Sequence, residues 1–138
     1  MNLSAEDISK NWLRLMGFIE DHISEPRRAK VLEFYEKYSE RLMLMPAAHK
    51  KEYHNAFPGG YVEHVNRVIT CALHLHELWA TMGADITTYT KEELVFSALN
   101  QSWEIVNEHI TEMRDSINDA KVFVQQEPLG PGEINTSL

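Results

Sequence analysis

Two histidines ten positions apart, His54 and His64, bracket the stretch His-Asn-Ala-Phe-Pro-Gly-Gly-Tyr-Val-Glu-His. An imidazole can ligate a divalent transition metal, and it can also accept or donate a hydrogen bond to a polar ligand. Phe57-Pro58-Gly59-Gly60 must turn the chain, and Val62, Val65, Val68, Ile69, Ala72, Leu75, Leu78 and Trp79 then recur at helical spacing. His64 therefore sits just inside the start of an apolar helix, on a stripe with Val68 and Leu75, while His54 ends the preceding segment.

Other polar residues supply fewer geometric possibilities. His74 and His76 are two positions apart, so on a helix they point about 200° away from each other and cannot chelate one ion. Glu63 neighbours His64 but is swung about 100° around the helix. Glu104 and Glu108 are one turn apart, with His109 on the adjacent flank, and could act as substitute ligands or form a solvated helix face. His22 and His49 read as exposed. Arg27, Arg28 and Lys30 crowd one helix start, either as solvated side chains or as a phosphate-facing basic edge.

Pro46-Ala47-Ala48, the stretch His54 to Val65, and Glu92-Glu93-Leu94-Val95-Phe96-Ser97-Ala98-Leu99-Asn100 together resemble the HD-domain superfamily of metal-dependent phosphohydrolases. The likeness, to the helical HD-domain proteins of bacteria and their tailed phages, covers roughly residues 45 to 100, with Gly-Gly-x-x-x-His as its most specific portion. It implies a divalent metal (Mn, Fe, Zn, Ni or Mg) held by one His, a His-Asp doublet and a distant Asp, and activating water against a phosphoester. Of these ligands only His64 falls on a matching position. Gln101 and Ser102 stand where the doublet would be, a neutral amide and a hydroxyl that offer a dication no compensating charge. A chain so altered can have lost the metal and with it the hydrolysis.

The composition sets further bounds. With 138 residues and 43% hydrophobic content the chain fits one domain, over residues 1–126, followed by a flexible tail at 127–138. Thirteen Lys and Arg against 21 Asp and Glu give a net charge of −8, which argues against a long nucleic acid as partner. The one cysteine, Cys71, reads as core, so a reducing, cytoplasmic setting is expected. No apolar run has the length of a membrane span, and no apolar leader opens the chain.

The elements that would position the histidines are all helical. Ser4 with Asp7 forms a capping box for a helix from Ala5 to Ile23. Ser24 and Pro26 start a second, reaching Met43 and buried through Val31, Leu32, Tyr35, Tyr38 and Leu42. A long connection over 44–60 carries His49, Lys50, Lys51, Tyr53 and His54. The central helix spans Tyr61 to Met82 and ends at Gly83 in a left-handed cap. Thr90 with Glu93 caps a further helix, and from Leu99 apolar residues alternate at steps of four and three to Val124. Trp12, Trp79 and Trp103 read as core. The fold expected is a compact all-α bundle of four to five helices.

Three functions follow. A shortened HD-domain relative would keep a pocket for a small phosphate ester or nucleotide near His54 and His64, with weak or no hydrolysis. An interaction protein would use the 99–124 stripe to form a homodimer or bind a partner. An active phosphohydrolase would need replaced ligands, from Glu104, Glu108 and His109 or from another subunit.

Overall fold

The computed structural model describes residues 2–48, 50, 52, 54–101 and 111. Among the described residues five helices succeed one another: α1 (Ala5–His22), α2 (Arg27–Lys37), α3 (Ser39–Leu44), α4 (Gly60–Thr81) and α5 (Lys91–Gln101). There is no strand among the described residues, and α4 packs against α1, α3 and α5, giving an all-α bundle. No helix among the described residues is long and apolar enough to cross a membrane. The chain divides into two units, Met1–Ser102 and Trp103–Leu138. The five helices belong to the first. Apart from Thr111, the second lies outside the described residues, and with it the apolar stripe beyond Gln101 and the 127–138 segment.

Local signals set the helix ends. The Asp7 amide donates to Ser4 Oγ at 3.1 Å and the Ser4 amide to the Asp7 carboxylate at 3.2 Å, so Asp serves where Glu is usual in a capping box. Thr90 and Glu93 make the same reciprocal pair at the start of α5. Past α4, the Gly83 amide donates to the Ala80 carbonyl at 3.1 Å and the Ala84 amide to Trp79 at 2.9 Å, with Gly83 at φ 83°. This double bond is the Schellman arrangement expected of a glycine stop.

The expected second helix is two. It breaks at Tyr38 (φ −109°, ψ 17°), where no glycine or proline announces a stop. The packing of α3 on α1 and α4 decides it, and Leu42 is buried on that side as expected. Pro26 is the residue before α2 rather than its first, and Ser24 turns its hydroxyl to Glu92 at 2.8 Å instead of capping α2. Two of the three cations at this helix start are engaged within the fold. Arg27 lies over the Phe96 ring at 4.5 Å and 3.5 Å from Glu92, and Arg28 pairs with Glu25 at 3.0 Å, while Lys30 is exposed.

Leu15, Ile19, Ile23, Tyr35, Tyr61, Val62, Val65, Ile69, Val95 and Leu99 form the core. Tyr35 and Tyr61 share a hydrogen bond that ties α2 to α4; burial pushes the Tyr35 phenol up to about 12 and Tyr61 higher still, so both remain neutral hydrogen-bonding groups. The apolar stripe of α4 is only half used. Cys71 is exposed rather than core, as are Leu75, Leu78 and Trp79, and on this part of the helix the buried side chain is His76, against Tyr89.

Among the described glycines the tightest approach is at Gly60. A Cβ there would lie 2.1 Å from the Asn55 carbonyl oxygen, so only glycine allows the loop to close on the helix start. Replacing Gly60 by Ala is expected to cost about 3 kcal/mol or more in urea unfolding. Gly17→Ala, in the middle of α1 with open space around the new methyl, is expected to gain about 0.5–1 kcal/mol in the same assay.

Candidate functional site

The loop between α3 and α4 is held by its backbone. The Ala47 amide donates to the Asn55 carbonyl at 3.0 Å, Gly59 to Leu44 at 3.2 Å, and Tyr61 to Met45 at 3.0 Å. Gly60 closes on Phe57 at 2.9 Å, and Gly59 takes φ 82° to enter α4. Asn55 itself has φ 57°, the left-handed conformation that asparagine tolerates better than most residues. His49, Lys51 and Tyr53 of this loop lie outside the described residues.

This closure brings His54 back over the first turns of α4. The His54 and His64 rings stand edge to face, with centroids 5.8 Å apart. His54 is exposed and His64 is half-buried. Beside them runs a polar chain. The buried Asn55 amide donates to the Gly60 carbonyl at 3.1 Å and to the Glu63 carboxylate, whose other oxygen accepts from Arg67. Arg67 Nη1 lies 3.4 Å from His54 Nε2, completing the return to the loop. The i,i+4 spacing of Glu63 and Arg67 makes the ion pair local, and its orientation, acid before base, is the favourable one.

Burial, the first cause, and then the neighbouring His54 hold the His64 imidazole below its ordinary 6.5; Glu63 opposes this and Arg67 adds to it. At neutral pH His64 is thus a neutral ring with one donor and one acceptor nitrogen. The cation of the site is Arg67. A guanidinium has five N–H groups, and Arg67 directs one nitrogen to Glu63 and another toward His54, leaving donors for a further acceptor.

The other residues singled out from the sequence are dispersed. Gln101 is exposed at the last described position of α5, while Ser102, Glu104, Glu108 and His109 lie outside the described residues. His74 is exposed. His76 is buried with its Nδ1 3.1 Å from the Tyr89 hydroxyl, in keeping with their opposite directions on the helix. His22 is half-buried, not exposed, with Nδ1 3.1 Å from the Phe18 carbonyl one turn earlier. Asn55 and Arg67 were not singled out from the sequence as site residues. The Glu63/Arg67 spacing and an asparagine next to a breaker cluster were the available signals.

Against the donor set that the HD resemblance implies, the described residues supply two imidazoles and no free carboxylate. Glu63 faces Arg67 and Asn55, and no group of three or more His, Cys, Asp or Glu side chains gathers among the described residues. These side chains do not fit a three- or four-ligand metal centre, and no chemical step is derived through one. Family models, curated proteins and solved structures were all compared with this chain, and none matches it.

The depressed basicity of His64 has a stability consequence. As pH falls below 6.5 the unfolded chain takes up the His64 proton before the folded one does, so folding stability declines between 6.5 and the lower folded value and levels off beneath it. Urea midpoints measured across this range are expected to fall with pH in the wild-type chain and to fall less in His64→Gln. Equal slopes in the two would show that His64 titrates alike in both states.

Proposed function

We propose that the face formed by His54, His64 and Arg67 binds a small phosphate ester or nucleotide, and that the chain hydrolyses it weakly or not at all. The supporting observation is the convergence of two imidazoles and a guanidinium with spare donors at the glycine-closed start of α4. Phosphate oxygens accept hydrogen bonds from such groups, and charge-assisted bonds to a guanidinium are the strong ones. The HD-domain resemblance points the same way, toward a phosphoester ligand near His64. Binding is modest on this reading, because the Glu63 charge already offsets Arg67. No described carboxylate is poised to activate water: the one beside the histidines is held by Asn55 and Arg67.

The test is a titration with AMP and, separately, inorganic pyrophosphate, followed through the ring signals of His54 and His64 by NMR. Saturable shifts of both rings are expected, tightening as pH falls and His64 gains its proton, and weakening with salt. Arg67→Ala should weaken binding about tenfold, the worth of a hydrogen bond to a charged group, while leaving the helical circular dichroism unchanged. Unmoved histidine signals at millimolar ligand would dismiss the pocket. Turnover of an aryl phosphodiester above the uncatalysed rate on adding Mn²⁺ would instead establish the active phosphohydrolase.

A further inference from the structure

Away from the histidines, α1 and α2 enclose a groove whose chemistry has a different sign. The two helices run antiparallel: Arg28 at the start of α2 reaches the Glu20 carbonyl near the end of α1 at 3.3 Å, while Trp12 and Tyr35 meet further along with ring centroids 6.2 Å apart. By this register Trp12 faces Glu36, and Met16 faces Leu32. Trp12, Met16 and Glu20 recur every four residues along one face of α1, and Leu32 and Glu36 do so along α2. With Ser39, these side chains line a cavity of about 420 Å³. That is a volume suited to a small organic molecule.

The order of groups along the groove is acid, apolar, acid. Glu36 and the Trp12 ring mark one end, Met16 and Leu32 the middle, and Glu20 the other end. Two helical turns separate the ends, about 12 Å at 1.5 Å per residue. Neither Glu20 nor Glu36 engages its carboxylate in an ion pair or hydrogen bond among the described residues. Arg28 is the cation nearest the Glu20 end, and its charge is matched by Glu25 at 3.0 Å. An aromatic ring beside a carboxylate is a recognised receptor for ammonium groups.

We propose that this groove binds a long linear aliphatic diamine: one ammonium against Glu36 and the face of Trp12, a second against Glu20, and the methylene chain along Met16 and Leu32. The spacing of like charges by an apolar floor selects a dication with an apolar middle over a compact metal ion or a monoamine. The net charge of −8 raises the local concentration of any such cation.

1,8-Diaminooctane, 1,4-diaminobutane, butylamine and Mg²⁺ are titrated into the full chain at constant ionic strength, with the Trp12 indole N–H and the Ser39 amide followed by NMR. Diaminooctane is expected to shift both signals saturably, more tightly than the shorter diaminobutane, with butylamine and Mg²⁺ far weaker. Glu20→Gln and Glu36→Gln, exposed changes that leave the helices intact, should each weaken diaminooctane by about threefold to fivefold, and the pair by more. Small gradual shifts shared by Mg²⁺ would reduce the effect to diffuse charge and overturn the site. So would a Trp12 signal that diaminooctane does not move, or an affinity indifferent to both glutamines.

Discussion

The contact between the Asn55 carbonyl and the Cα of Gly60 is the constraint on which the histidine face depends. With 2.1 Å available where a Cβ would stand, any side chain at Gly60 pushes the loop off the start of α4. The same carbonyl receives the Ala47 amide, so one oxygen anchors the loop's entry while its position forbids a side chain at the exit. His54 precedes Asn55 and His64 lies one turn beyond Gly60. Their edge-to-face approach follows this backbone closure.

Around that closure the polar groups are arranged to spend each other. Asn55 holds Glu63, Glu63 holds Arg67, and Arg67 returns to His54. Such a chain fixes the guanidinium beside the rings at low entropic cost, because two of its links lie within one helical turn of each other. It also removes the one nearby carboxylate from other duties. A ligand with acceptor oxygens meets donors here, while a cation meets a carboxylate already matched.

The α1–α2 groove shows the opposite arrangement. Its carboxylates have no cationic partner among the described residues, and an apolar floor keeps them two helical turns apart. The two faces are chemically complementary, one to oxygen acceptors and the other to ammonium donors, and they sit on different helix pairs.

Much of the secondary structure was legible in the residue order. The capping boxes at Ser4 and Thr90, the glycine stop at Gly83 and the breaker before α4 are local, each deciding a helix end through groups within a few residues. The proximity of His54 and His64 was partly legible too, since a tight turn between them leaves little chain to separate them. Tertiary structure alone decided which face of α4 is buried, because period fixes a stripe but not which neighbours pack along it. Cys71, Leu75, Leu78 and Trp79 thus turn outward while His76 is covered by Tyr89. It also decided that α2 and α3 part at Tyr38, and that Arg27 and Arg28 are consumed by Phe96, Glu92 and Glu25. Charges separated in sequence find one another only after the helices pack, and a sequence pattern records their presence without recording their partners.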